Sequence, residues 1–180
     1  MKALLLFLFA CTACFAQEFT VIKTGLVSKK DNNVNYVIAQ SEGSADSLYA
    51  IAKRYIDIKF SGSKDRVRND DAAKTIFYET TDMSMATLRK KKEDITYSTS
   101  FTSSLEFKDG KVKITYGNVN ISTADASGEK KPFPFSAIYN GTGKIIDKPA
   151  KDLIETHFNA STKLLLKELK SNGEKKSTDW

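Results

Sequence analysis

The segment from Ile95 to Phe107 constrains the fold more than any other part of the chain. Every second residue is on one face, and these residues are Ile95, Tyr97, Thr99, Phe101, Ser103, Leu105 and Phe107. The residues between them are all polar. Strict alternation over this length predicts a β-strand of an antiparallel sheet, with one face buried and the other open to water.

A hairpin follows this strand. The dipeptide Asp109-Gly110 tolerates the positive φ angles of a tight two-residue turn. Pairing across the turn would place Phe107 opposite Val112 and Leu105 opposite Ile114, so that the apolar residues share one face. The apolar phase then shifts after Gly117-Asn118, which predicts a β-bulge there.

Three further stretches favour β-strands: Glu18–Lys23, Tyr36–Gln40 and Thr75–Leu88. The first two are separated by the turn-forming residues 31–33. The charged stretch Lys64–Ala73 is predicted to be a loop.

Two helices complete the pattern. The first is predicted over Ala45–Lys59, with Ser44 as its N-cap and a buried stripe at helical spacing. The stripe consists of Leu48, Ile51, Ala52 and Tyr55. The second is predicted over Pro149–Ser171, with a longer stripe. That stripe consists of Leu153, Ile154, His157, Phe158, Ser161, Leu164, Leu165 and Leu169.

These elements predict an α+β domain in which two helices cover one face of an antiparallel sheet, in the order β-α-β-β-β-α. We expect a single domain over residues 17–173 and a frayed tail at 174–180. Residues 124–146 read as an insertion of turns.

Residues 1–16 have the layout of a secretory signal peptide. Lys2 precedes a short apolar run, and Cys14-Phe15-Ala16 supplies small residues before a cleavage site at Ala16. The protein is therefore expected to be exported, to the periplasm or outside the cell. Alternatively, Leu8–Cys11 has the order of a lipobox, which would anchor a lipoprotein through Cys11.

Charge and cysteine content narrow the possible chemistry. The chain has 28 basic and 22 acidic residues, giving a net charge of +6, and its two cysteines lie within the first 16 residues. A mature chain without cysteine has no disulfide, zinc–thiolate site or cysteine nucleophile. The sequence shows no motif for a cofactor or a metal, and no later stretch is long enough to span a bilayer.

Three stretches resemble a family of exported proteins from Gram-negative bacteria, a domain of unknown function described as having a TBP-like fold. They are Ser44–Tyr49 with Ile51–Lys53, Ser63–Asp65 through Asp70–Ile76, and Leu105–Val112. The resemblance covers roughly residues 35–121 and the closing helix. It implies the same α+β fold and carries no known catalytic residue. The chain departs from the family pattern at Phe77–Thr80, where a glycine-containing stretch is usual, and over 124–146.

The sequence places no second catalytic group beside any candidate catalytic residue. His157, the only histidine, lies on the apolar stripe of the closing helix, which favours packing. Glu155 is two positions away and so points elsewhere on the helix. Asp70 and Asp71 are adjacent carboxylates in a charged stretch. They are the candidates for a carboxylate-dependent hydrolase, which we keep as an alternative.

Two segments are candidate partner-binding sites. The run Arg89, Lys90, Lys91 and Lys92 could bind anionic lipid or glycan, and nucleic acid is not expected for an exported protein. Phe133 and Phe135, in a proline-stiffened loop, either pack on the core or anchor a partner. The favoured hypothesis is a non-enzymatic binding module of the cell envelope. It would use the open sheet face or the 124–146 insertion to bind an envelope protein or a small ligand.

Overall fold

The computed structural model describes residues 17–61, 66–90 and 92–174, so the predicted signal peptide lies outside the described residues. The elements in chain order are β1 (Phe19–Ile22), β2 (Gly25–Ser28), β3 (Tyr36–Gln40), α1 (Ala45–Lys59), β4 (Val67–Asp70), β5 (Thr75–Lys90), β6 (Glu93–Lys108), β7 (Lys111–Ala124), β8 (Lys130–Pro132), a short 3-10 helix (Phe135–Ile138) and α2 (Lys148–Glu174).

Six strands form one antiparallel sheet. Five of them lie in the order β3-β7-β6-β5-β4, and β8 pairs with the far end of β7. Strands β1 and β2 form a separate hairpin that packs near α2. Both helices pack against the face of the sheet that carries its buried residues, which confirms the α+β class and the one-sided helix layer.

The predicted hairpin of β6 and β7 is confirmed in its register. Phe107 pairs with Val112 and Leu105 pairs with Ile114. Gly110 has a φ of 72°, the left-handed conformation that favours glycine at this turn. The Asp109 carboxylate also accepts a hydrogen bond of 2.8 Å from the Ala45 amide, so the turn is fastened to the start of α1.

Strands β5 and β7, which lie on either side of β6, both carry a bulge opposite the same part of β6. The predicted bulge of β7 is present, because two residues of β7 stand opposite one residue of β6 near Ser100. Strand β5 carries its own bulge at the same level of β6, between Thr80 and Met83. Asn118 and Asp82, one in each bulge, both have positive φ angles. Bulges in the two neighbours of β6 increase the local twist of the sheet there.

Helix α1 has the predicted bounds and cap. The Ser44 hydroxyl accepts a hydrogen bond of 3.3 Å from the Ser47 amide. Its buried residues are Leu48, Tyr49, Ala52 and Ile56, whereas Ile51 and Tyr55 are only half-buried. The buried stripe is therefore rotated slightly from the one predicted.

Helix α2 runs from Lys148 to Glu174, and one residue of its predicted stripe is wrong. Leu164 is 54% exposed, while Thr162 and Leu166 are buried. Leu164 is followed by the buried Leu165 and Leu166, so the run of three leucines is wider than the face that the rest of the fold covers.

The sequence missed three strands. The stretch predicted as one strand over Glu18–Lys23 is the first arm of the β1–β2 hairpin, whose turn precedes Gly25. The predicted loop over Lys64–Ala73 contains β4, which pairs with β5. The predicted insertion contributes β8 to the sheet. Strand β4 has mostly exposed side chains, so it lacks the apolar alternation that marks a strand in sequence.

Candidate functional site

The side of the large sheet that faces away from the helices, which we call the outer face, has no covering element in the described part of the chain. The strand register defines one row of residues across it. That row runs Arg68, Phe77, Ser104, Thr115 and Tyr36. It contains two aromatic side chains separated by two hydroxyls.

Phe77 is the most exposed aromatic residue on the outer face, with 51% of its surface accessible. Thr75 and Glu79 are its neighbours on β5, two residues away on either side, and therefore share its face. Arg68 and Ser104 are paired with it on β4 and β6. Side chains paired in this way have Cβ atoms about 5 Å apart. We call Phe77 with these four neighbours the Phe77 platform.

The next row adds an ion pair to this surface. The Lys113 ammonium lies 2.9 Å from the Glu106 carboxylate and 4.8 Å from the centre of the Tyr36 ring. The three central rows hold the cations Arg68 and Lys113 and the carboxylates Asp70, Glu79 and Glu106. The centre of the outer face therefore carries no excess of positive charge, although the whole chain carries a charge of +6.

Hydroxyl groups continue along the outer face beyond the bulges. The Thr87 and Thr96 hydroxyls lie 2.9 Å apart in a hydrogen bond. Lys130 of β8 also forms an ion pair with Asp82 in the bulge of β5. This pair joins the two edges of the sheet at that end.

The predicted basic run is divided between two environments. Arg89 is exposed and stands opposite Asp94 in the register of β5 and β6, Lys92 is exposed, and Lys91 lies outside the described residues. Lys90 points inward instead. It donates a hydrogen bond of 2.7 Å to the Tyr97 hydroxyl and forms an ion pair with Asp147, the residue before α2.

Lys90 is held in its charged form. Burial alone would lower the pKa of its ammonium, but the hydrogen bonds to Asp147 and Tyr97 outweigh burial, and the pKa is raised. The Asp147 carboxylate also accepts a hydrogen bond of 3.2 Å from the Ala150 amide in the first turn of α2. Lys90 therefore links the tip of the β5–β6 hairpin to the start of α2.

Replacing Lys90 by methionine should reduce the free energy of unfolding by about 1–2 kcal/mol, because Asp147 and the buried Tyr97 hydroxyl would lose their partner. The matched control is Lys130→Met, which removes an exposed ion pair and should change stability by less than about 0.5 kcal/mol. Chemical denaturation of both variants measures the difference. Equal effects would show that the Lys90 contacts do not link the two elements.

Phe133 and Phe135 are half-buried and pack against the core. The Phe133 ring meets Tyr97 edge-on, with centroids 5.3 Å apart, and its amide donates to the carbonyl of Ile121. Together with Val119 and Ile121, the two rings line a shallow surface groove. The partner-binding role predicted for them stays a prediction.

The two candidate carboxylates, Asp70 and Asp71, are bound by different groups. Asp70 accepts hydrogen bonds from the amides of Ala72 and Ala73 in a turn, at 3.1 and 2.9 Å. Asp71 is exposed and is bound by the Tyr49 hydroxyl and the Lys53 ammonium, which lower the pKa of its carboxyl. An acid–base pair needs two environments that separate the pKa values around one reaction centre. This geometry gives the hydrolase alternative no support.

His157 is half-buried, as predicted, and its ring meets Phe158 edge-on. Its Nε2 atom is buried and has no hydrogen-bond partner among the described residues. Burial lowers the pKa of the imidazole, and the nearby Lys59 ammonium lowers it further. Both effects favour the neutral form of the ring.

The Phe77 platform was not predicted from the sequence, although the sequence carries a signal for it. In Ile76-Phe77-Tyr78, three apolar residues follow one another in a strand, so at least one of them must point away from the core. Ile76 and Tyr78 are buried, and burial raises the pKa of the Tyr78 hydroxyl to about 12. This leaves Phe77 on the outer face.

Within residues 17–61, 66–90 and 92–174, no cluster of three or more histidine, cysteine or acidic side chains is placed to hold a metal ion. No helix in the same ranges is long and apolar enough to cross a membrane.

Comparison with solved structures defines the fold class. A TBP-like protein from Parabacteroides distasonis matches with a TM-score of 0.53 and 12% sequence identity, over 74% of this chain and 90% of that chain. The chain therefore has a TBP-like α+β fold. A DUF4468 family protein from Bacteroides ovatus is similar at a TM-score of 0.48 and 13% identity, over 75% of this chain and 86% of that one. No family model and no curated protein matches the sequence.

Proposed function

We propose that this chain is an exported, non-enzymatic binding module of the cell envelope, and that the outer face of its sheet is the contact surface. The observation that carries the proposal is the Phe77 platform, an exposed aromatic ring on a face that no described element covers. Residues 1–16, with the layout of a signal peptide, support the export.

The placement of the ionisable side chains supports a binding role. Asp70 stabilises a turn, Asp71 is bound by Tyr49 and Lys53, and Lys90 joins two elements of the fold. Each of these groups has a structural task. The outer face, in contrast, presents the exposed Phe77 ring among polar neighbours, and aromatic residues are enriched at contact surfaces.

Photo-crosslinking in intact cells tests this proposal. A photoreactive phenylalanine analogue placed at Phe77, or at Ser104 beside it, should form the same adduct, identified by mass spectrometry. The control position is Leu164, which is as exposed as Phe77 but lies on the helix layer. An adduct from the Leu164 position alone, or none above background from either outer-face position, would refute the outer face as the contact surface.

A further inference from the structure

We propose that the Phe77 platform binds a neutral saccharide chain. This inference rests on the proposed function for the location of the site and adds the chemical class of the ligand. Three properties of the platform support it: the accessibility of the aromatic ring, the charge around it, and the mixture of hydrogen-bond donors and acceptors at its rim.

The ring is presented on an open surface. Phe77 lies in the part of β5 that pairs regularly with β4 and β6, before the bulges begin. Sheet side chains stand roughly perpendicular to such a surface. The faces of a sugar ring that carry C–H groups are apolar and flat enough to pack on an exposed aromatic ring.

The charge around the ring has no positive excess. The cations Arg68 and Lys113 are accompanied by the carboxylates Asp70, Glu79 and Glu106, in a chain with a net charge of +6. A polyanion would meet three carboxylates at this surface, so electrostatics do not favour it. A wholly apolar partner would bury five charged groups, which is costly. A neutral ligand rich in hydroxyl groups avoids both penalties.

The rim supplies both sides of the hydrogen bonds that hydroxyl groups need. The Arg68 guanidinium donates and the Glu79 carboxylate accepts. The Thr75 hydroxyl, which donates to the Ala73 carbonyl at 3.3 Å, can accept, and the Ser104 hydroxyl can do either. Hydrogen bonds to charged groups are the stronger ones, which suits binding on an open surface. Each hydroxyl of a sugar can donate and accept, so a mixed rim satisfies it better than a rim of one type.

The row is long enough for a chain of sugars. Phe77 and Tyr36 are separated by three strand spacings, a distance of about 14 Å. The intervening positions are the hydroxyls of Ser104 and Thr115. A saccharide lying across the strands would contact Phe77 at one end and the Lys113 ammonium, over the Tyr36 ring, at the other.

The test is an NMR titration of the purified protein with neutral hexasaccharides of glucose, N-acetylglucosamine, mannose and xylose, each at about 10 mM. At least one should shift the amide resonances of Thr75, Glu79 and Ser104. Phe77→Ala and Phe77→Leu should each weaken that binding by about tenfold or more, because neither keeps an aromatic face. Phe77→Trp should retain it. Leu164→Ala, an equally exposed apolar site on the helix layer, should leave it unchanged.

Several results would overturn the inference. Absence of binding by all four hexasaccharides is one, and binding that Phe77→Ala does not weaken is another. If the saccharides fail while photo-crosslinking at Phe77 captures a protein, the outer face is a protein-binding surface and the proposed function still stands. If both experiments fail, the proposed function fails with the inference.

Discussion

Replacing Phe158 by alanine should lower the free energy of unfolding by about 3–5 kcal/mol, the range for removing a fully buried aromatic ring. Phe158 is completely buried and lies in the middle of α2. Its ring meets Phe101 at 5.2 Å and Tyr116 at 4.8 Å between centroids. One side chain therefore joins α2 to the two central strands, β6 and β7.

The control for this prediction lies on the same helix. Leu164→Ala removes a side chain that is 54% exposed and should cost less than about 1 kcal/mol. Urea denaturation of both variants, followed by circular dichroism, gives the two free energies. If the two substitutions cost the same, α2 does not pack on the sheet through the face described above.

The comparison of these two residues shows what helical spacing can predict. Both fall on the stripe that the sequence indicates for the closing helix, yet only Phe158 is buried. The spacing identifies the helix and its approximate face, whereas the width of the buried face depends on the elements that cover it. The short β1–β2 hairpin contributes to that covering, and only the first of its two strands was predicted from the sequence.

The sheet was predicted well where alternation and turn chemistry agreed. The β6–β7 register, including the bulge near Gly117, followed from the residues alone. Strands β4 and β8 were missed because their side chains are mostly exposed and their pairing is decided by neighbouring strands.

The candidate site was harder to predict than the fold. Phe77 reads as one more apolar residue of a strand until the burial of Ile76 and Tyr78 assigns it to the outer face. Arg68 lies beside Phe77 only because β4 pairs with β5, and the segment that forms β4 was predicted to be a loop. Lys90 belonged to a run of four basic residues, and nothing in that run indicates which of them points toward Tyr97 and Asp147.

Replacing Asn159 by alanine is the second substitution with a large expected effect, a loss of about 2–4 kcal/mol. The Asn159 side chain makes two hydrogen bonds to the backbone of β1, as a neighbouring strand would. Its oxygen accepts a hydrogen bond of 2.8 Å from the Phe19 amide, and its amide donates one of 3.0 Å to the Phe19 carbonyl. Phe19 is almost fully buried, so the alanine variant would leave both backbone groups without a partner.

Asn120→Ala is the matched control, because Asn120 is exposed and its amide donates only to the nearby carbonyl of Asn118. Its expected cost is below about 0.5 kcal/mol. Hydrogen exchange adds a local readout, since Asn159→Ala should speed the exchange of β1 amides before those of β6. The amides of Thr20 and Val21 are the ones to follow. The Glu155 carboxylate accepts a hydrogen bond of 2.8 Å from the Val21 amide, and this bond does not depend on Asn159. The exchange of these amides therefore reports how much of the attachment of β1 to α2 comes from Asn159. Unchanged exchange along β1 would show that Glu155 alone holds the strand on α2.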